Sequence, residues 1–381
     1  MTDAAMTVAA ASDALHARVR AMVDAFEVGR PSPESFDALA VDLAAFQAAH
    51  VPGYARLCAA RGVDPRSIAR ASQAPAVPAE AFKLAHVFAF EARDAGVIFR
   101  TSGTTIGARG THAMRHAATY DAAALAFGRA MFAGGLPAES AGTGHTPVLV
   151  IGPSNAEAPD SSLMHMCALF GRAFGPAADG ARFFVRNGAL AVEALRDRLR
   201  SLPRQAPALV LATSFGLVHW LDAVGGEAIP LPPGSLVMQT GGTKGRSREV
   251  SAAELRRDVA RAFAIPERSV VAEYGMTELS SQFWEATAID ERAPHGVYRE
   301  PPWARIVPVD PVTLAPVAGG EIGIARIEDL ANVDSAFAVL TQDRVRRVEG
   351  GIELLGRAAG APPRGCSIAL DEMLSGAAPR P

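Results

Sequence analysis

Three observations predict an α/β fold for this chain of 381 residues. Four short apolar runs each end in a turn of small residues: "GVIFR" before "TSGTT", "PVLVIG" before "PSN", "SLVMQ" before "TGGTKG" and "SVVAEY" before "GMTE". Alanine-rich helical stretches, such as Tyr120 to Phe132 and Val192 to Leu202, lie between them. The periodicity is helical before about residue 95 and strand-like after about residue 300. Strands alternating with helices imply a sheet covered by helices, and ligands in such sheets bind at the carboxyl ends of the strands.

Taken in order, residues 1–95 form a helical amino-terminal segment, in which Phe36, Leu39, Leu43 and Phe46 recur at helical spacing after a Pro/Ser-rich start. Residues 96–300 hold the strand-and-turn units and form the α/β core. Residues 301–365 form a small β-rich lobe, with "GEIGIARIEDL" as a strand and "RVRRVEGGIELLGR" as a hairpin about "EGG". Residues 366–381 are too few for another folded domain and are read as a truncated tail.

Composition narrows the function classes. A hydrophobic content of 49% is ample for a buried core. The net charge of -3 and the scattered basic residues disfavour nucleic acid as main partner. The opening "MTDAAMTVAAASDALHARVRAM" lacks the basic start and unbroken apolar core of a signal or membrane-inserted segment, so the expected location is the cytoplasm. Cys58, Cys167 and Cys366 lack metal-ligand spacing. Only Lys83 and Lys244 are lysines; the other 35 basic residues are arginine. Ammonium is compact and guanidinium is not, so a retained lysine can mark a place that needs a point charge.

The turn "TSGTTIGARGTH" is a plausible anion cradle. Thr101, Ser102, Thr104 and Thr105 supply hydroxyls, Gly103 and Gly107 allow close backbone approach, and Arg109 supplies a cation. It is not a P-loop, because the second glycine position falls on Ala108. In "EYGMTELSSQFW", Tyr274 offers a flat face, Thr277 a hydroxyl, and Glu278 a carboxylate suited to a hard cation such as Mg2+.

Together these two stretches resemble signature motifs of the adenylate-forming superfamily, whose members activate carboxylic acids with ATP. "DLANVDSAFAVLTQDRVRRV" and "LLGR" extend the match. Six blocks, "PAEAFKLAHVFAF", "TSGTTIGARGTH", "DSSLMHM", "MQTGGTKGRSREVSAAEL", "EYGMTELSSQFW" and "ELLGRAAGAPPRGCSIAL", are similar to the acyl-protein synthetase family of bacterial luminescence, with phenylacetate–CoA ligases more distant. The similarity runs from about Pro78 to Leu370.

The resemblance implies the large domain of an adenylate-forming enzyme: two β-sheets with flanking helices and a small β lobe, with the superfamily's lysine-bearing carboxy-terminal domain missing or truncated. It implies ATP and Mg2+ as cofactors and a carboxylic acid as substrate, activated to acyl-AMP and then passed to a thiol. Thr101, Ser102, Gly103, Thr104, Thr105 and Arg109 would embrace phosphates. Gly241 and Gly242 would line the adenine, and Tyr274, with Gly275, would stack on it. Thr277 would touch the α-phosphate and Glu278 would hold Mg2+. Asp343 would bind the ribose hydroxyls, and Arg357 matches the arginine ahead of the hinge.

The chain departs from the usual phosphate turn, since Ile106, Ala108 and Arg109 stand where a glycine, a proline and a lysine are expected. With the carboxy-terminal lysine missing, Lys244 in "GGTKGR" becomes a candidate for the substrate carboxylate or α-phosphate, while Lys83 reads as a surface or helix-start residue. Cys366 follows "PPRG" next to Arg364, in a segment expected to escape deep burial, where a cation would favour thiolate. In the luminescence family the matching cysteine accepts the acyl group. His112 abuts the phosphate turn and is a candidate pocket-edge residue; Ser214 and Phe215 are candidates for the acyl pocket. The final acceptor is read as a partner protein reached through a Cys366 thioester. The alternatives are CoA or a carrier protein, with Cys366 idle, or a lapsed homologue that binds nucleotide or acyl chains without catalysis.

Overall fold

A computed structural model describes residues 3–102, 109–136, 146–176, 181–242, 250–358 and 363–375. The chain forms two compact units, each discontinuous in sequence. The first comprises Met1–Ala126, Met276–Ser281 and Glu300–Pro381; the second comprises Phe127–Gly275 and Gln282–Arg299.

The second unit follows the alternation of strands and helices. Strands Val270–Tyr274, Leu236–Thr240, Leu209–Thr213, Val148–Pro153 and Ala181–Arg186 run parallel in that order. Antiparallel strands Phe283–Glu285 and Val297–Arg299 extend one side, and Ala189–Leu190 the other. Parallel strands are covered on both faces, which is why these segments read as continuous apolar runs rather than alternating ones. Val150, Leu211, Val237 and Val271 are fully buried. The register pairs Thr213 with Thr240 and Thr240 with Glu273, so three strands end level along one carboxyl edge.

The covering helices are locally specified. Thr213 caps Ser214–Val224 by accepting from the Gly216 amide at 3.0 Å, and Gly225, at φ 60, closes it in the left-handed region. Ser251 and Glu254 form a capping box on Ala252–Phe263. Trp220 stacks on Phe263, while Phe132 packs edge-on against Phe170, Phe174 and Trp284.

The first unit opens with helices Asp3–Glu27, Phe36–His50 and Pro52–Ala60. Leu39, Leu43 and Phe46 turn inward, as their spacing predicts. Its main antiparallel strands run in the order Ala304–Val309, Ile322–Asp329, Ala338–Val348 and Gly351–Arg357. The hairpin about "EGG" forms, with Val348 opposite Gly351 and Gly350 at φ 86. Short strand Val77–Pro78 adds in parallel to Val339 and Leu340.

One expected strand takes a different partner. Val97–Arg100 pairs antiparallel with Thr111–Met114, rather than joining the parallel sheet. Its chain returns after a turn, whereas a parallel neighbour requires a crossover of a dozen residues or more. The carboxy-terminal segment also differs from a loose tail. It contains helix Arg364–Leu374, held by the Arg56 guanidinium donating to the Met373 carbonyl at 2.8 Å and by Arg61 pairing with Glu372 at 2.6 Å. Among the described residues, no helix is long and apolar enough to cross a membrane.

Candidate functional site

In the first unit, the predicted phosphate turn springs from the hairpin of Val97–Arg100 and Thr111–Met114. Thr101 closes the described part of the turn twice, its amide donating to the Gly110 carbonyl at 3.0 Å and its hydroxyl accepting from the Gly110 amide at 2.8 Å. Arg109 donates from Nε to the Thr101 carbonyl at 2.6 Å and from Nη2 to the Arg100 carbonyl at 3.1 Å. Part of its fork therefore holds the strand end in place. Ser102 is exposed, and Gly103, Thr104 and Thr105 lie outside the described residues.

The loop Met276–Ser281 is positioned by three buried polar groups. His112 Nδ1 lies 2.8 Å from the Thr277 carbonyl, and its Nε2 lies 3.0 Å from the Ser335 hydroxyl. Because a carbonyl only accepts, Nδ1 carries the proton and the Ser335 hydroxyl donates to Nε2. Burial pushes the His112 pKa down to about 4, so the ring is a neutral pin. The expectation that His112 borders a substrate pocket is corrected here, since both ring nitrogens are engaged within the protein and only 1% of the residue is exposed. Asp329 accepts from the Ser280 and Ser281 amides at 2.9 and 2.8 Å and from the Ser281 hydroxyl at 2.7 Å. Asn332 donates to the Glu278 carbonyl at 2.8 Å.

Glu278 is thereby fixed in the backbone while its carboxyl is buried with little compensation. Burial raises its pKa to about 7; its own amide and the charges of Lys83 and Arg357 pull the other way, and Glu80 adds to the rise. Thr277, half-buried beside it, makes no side-chain hydrogen bond among the described residues. Asp343 and Arg357 face each other across paired strands, and Arg357 Nη2 lies 4.0 Å from Glu80.

Cys366 requires a correction. It is on the docked helix Arg364–Leu374, only 2% exposed, with Sγ 3.9 Å from the Thr341 carbonyl. Burial, followed by the charge of Glu80, pushes its thiol up to about 12. An adjacent arginine in sequence does not favour thiolate when the sulfur turns into the core. A separate cavity of about 170 Å³ in this unit, lined by Leu57, Arg61, Leu314, Arg326, Leu340 and Ala369, contains none of the predicted site residues.

In the second unit, the carboxyl edge presents the remaining candidates. Gly241 takes φ 73, a conformation that suits glycine. The Ser214 hydroxyl donates to its carbonyl at 2.6 Å, so Ser214 positions the glycine turn. Phe215 is half-buried with its ring 6.0 Å from that of His219. Tyr274 is flanked by Phe283 at 6.0 Å and Tyr298 at 6.1 Å between centroids. Gly275 is required by close approach, because a Cβ there would lie 2.4 Å from a Glu273 carboxylate oxygen. Glu273 accepts from the Thr240 hydroxyl, and burial raises its pKa to about 7. Gly242 follows Gly241 on this edge, and Lys244 lies outside the described residues.

The sequence reading missed the pins: Asp329, Asn332 and Ser335 belong to "DLANVDS", a block quoted only for Asp343. Their signal is polar side chains clustered in an otherwise apolar stretch, which becomes meaningful only when those positions prove buried.

No family model and no curated protein matches the chain. Solved structures do match. One is 2-hydroxyisobutyryl-CoA ligase in complex with 2-HIB-AMP and CoA in the thioesterification state: 15% identity, 92% of this chain and 68% of that one, TM-score 0.57. The same ligase in the postadenylation state with R3-HIB-AMP aligns at 13% identity over 84% of this chain and 67% of that one, TM-score 0.58. ATP-bound MatB from Rhodopseudomonas palustris aligns at 16% identity over 78% of this chain, TM-score 0.48. The chain spans about half the length of MatB, 52%. The likeness to the ligase shows the fold, a mixed α/β architecture shared with 2-hydroxyisobutyryl-CoA ligase.

Proposed function

We propose that the protein activates a carboxylic acid with ATP, releasing pyrophosphate and forming acyl-AMP, and then transfers the acyl group to a thiol. The observation that carries this reading is Glu278, a buried carboxyl on a loop whose backbone is pinned at Thr277, Glu278, Ser280 and Ser281. Such a group fits Mg2+, which takes one or two carboxylates and completes its shell with phosphate oxygens and water. Mg2+ bound there would neutralise charge on the phosphates.

The chain's own residues have assigned roles in this proposal. Thr101 to Thr105 bind phosphates, with Arg109 bracing the turn, and Thr277 donates to the α-phosphate. Tyr274, Gly241, Gly242 and Gly275 bind the base, and Asp343 the ribose. A substrate carboxylate oxygen attacks the α-phosphorus as the bond to pyrophosphate breaks, a step governed by positioning and charge more than covalent help. A thiol sulfur then attacks the acyl carbon and AMP leaves. The structures of 2-hydroxyisobutyryl-CoA ligase in complex with 2-HIB-AMP and CoA support this order. Use of ATP suits the cytoplasm.

For the acceptor, the burial of Cys366 favours an external thiol, either CoA or a carrier protein. Relay through Cys366 to an acyl-accepting protein is the second reading, supported by the contact of Sγ with strand Ala338–Val348, which also carries Asp343. That relay requires helix Arg364–Leu374 to leave its docked position.

Acid-dependent exchange of pyrophosphate into ATP across a panel of carboxylic acids tests the first step. At least one acid supports exchange, and Glu278→Gln lowers the rate by about 10² or more. A wild-type protein inactive with every acid, or an unimpaired variant, overturns the proposal. Incubation with ATP and the active radiolabelled acid separates the acceptors. Label on the protein that hydroxylamine releases, and that Cys366→Ala abolishes, establishes the relay; equal transfer to CoA by both proteins establishes the external thiol.

A further inference from the structure

By sequence Lys83 reads as a surface or helix-start residue, and the structure sets its stem against Gly110 and Thr101. It lies on the short helix Ala81–Leu84, whose Phe82 is buried edge-on to His112 at 5.8 Å between centroids. With Phe82 committed inward, Lys83 remains exposed. Its stem lies near the two ends of the predicted turn: a Cβ at Gly110 would meet Lys83 Cγ at 3.4 Å and Thr101 Cγ2 at 3.0 Å. Lysine stem, glycine and the first threonine of the turn are thus in one contact.

The cation expected from sequence at this turn is Arg109, and two of its donors are occupied by the carbonyls of Arg100 and Thr101. Lys83 differs, because among the described residues its ammonium makes no hydrogen bond and no ion pair within 4.0 Å. A compact point charge whose stem lies against Gly110 and Thr101 suits a polyphosphate better than a guanidinium used to hold backbone. In a chain that uses arginine for 35 of its 37 basic residues, lysine stands at this position.

We propose that Lys83, set against Thr101 and Gly110, binds the β- and γ-phosphates of ATP and the departing pyrophosphate. This rests on the adenylation reading and deepens it, by supplying the positive charge that the departure from the usual phosphate turn leaves in question. Lys83 then acts on the leaving group, so it contributes little to AMP.

The test is calorimetric titration of wild type, Lys83→Met and Lys83→Arg with ATP, pyrophosphate and AMP, each in Mg2+ buffer, with thermal unfolding to check folding. Loss of one charge-assisted phosphate contact weakens ATP and pyrophosphate about tenfold or more in Lys83→Met. AMP affinity stays within about twofold of wild type, and Lys83→Arg recovers part of the loss because charge returns without the compact geometry. ATP and pyrophosphate binding unchanged in both variants overturns the inference, as does equal weakening of AMP, which would place Lys83 at the α-phosphate or in a purely structural role. If Lys83→Met proves poorly folded, Lys83→Arg decides alone: full wild-type affinity for pyrophosphate overturns the requirement for a compact ammonium, and a selective loss for ATP and pyrophosphate supports it. Wild type that binds ATP but exchanges pyrophosphate with no acid overturns the adenylation reading without touching this result. Wild type that binds no ATP overturns both.

Discussion

Glu278 in the first unit and Glu285 in the second are both buried, yet their surroundings give opposite results. Glu285 accepts from Arg256 Nη2 at 2.6 and 2.8 Å and from the amides of Ala272 and Gly296, with His295 Nδ1 at 3.9 Å. Burial alone would raise its pKa, but His295, Arg256 and the two amides outweigh it, and the net shift is downward. Glu278 has its own amide and more distant charges, two attractive and one repulsive, and its pKa rises to about 7. A buried carboxylate with its oxygens paired is finished as structure. One held rigidly by its backbone, with its carboxyl left short of partners, is what the proposed Mg2+ role requires.

The largest expected effect falls on the finished site. Glu285→Gln keeps shape but removes the negative charge, leaving Arg256 buried without a counter-ion. Breaking a buried pair from one side costs about 3–5 kcal/mol. Chemical denaturation at pH 7 should show that loss, with pyrophosphate exchange retained below the unfolding transition. A stability change under about 1 kcal/mol would mean that Arg256 finds solvent or another partner, and the contrast with Glu278 would collapse.

Legibility in the sequence follows the same division. The strands Val148–Pro153, Leu209–Thr213, Leu236–Thr240 and Val270–Tyr274 were readable because burial on both faces demands continuous apolar runs, and their turns follow directly. The placement of Val97–Arg100 was not, because a short apolar run carries no record of its pairing partner. Thr101, Tyr274, Glu278 and Asp343 come from motif resemblance, and their roles remain those proposed above. The supports were not legible: His112, Asp329 and Asn332 act through buried hydrogen bonds to residues distant in sequence, and composition holds no trace of such pairings. Cys366 illustrates the reverse error. Glycine and proline around it suggested exposure, but its helix lies on Pro52–Ala60, with Met373 Cε 3.2 Å from where a Cβ at Gly53 would stand. Lys83 reads from sequence as a surface or helix-start residue, because its contact with Gly110 is made across the fold.

The smallest effect sharpens the comparison from the other side and concerns stability without ligand. The folded-state pKa of Glu278 lies near 7, against an ordinary glutamate value of 4.5. Between those values the native state holds a proton that the unfolded chain has lost, so stability falls as pH rises through this window. Glu278→Gln cannot ionise and escapes that decline. In EDTA at pH 8 the variant should therefore be more stable than wild type by about 3 kcal/mol, and at pH 4.5 the two should nearly coincide. Some decline with pH persists in the variant, because Glu273 is raised to about 7 as well. Thermal unfolding of both proteins from pH 4.5 to 8 measures the difference. A variant less stable than wild type at pH 8 would show that the Glu278 carboxylate is already satisfied by the protein, as Glu285 is, and would remove the argument that this site is kept for a metal. A gain in stability joined to a loss of exchange would show the destabilisation expected of a charge held in place for its ligand.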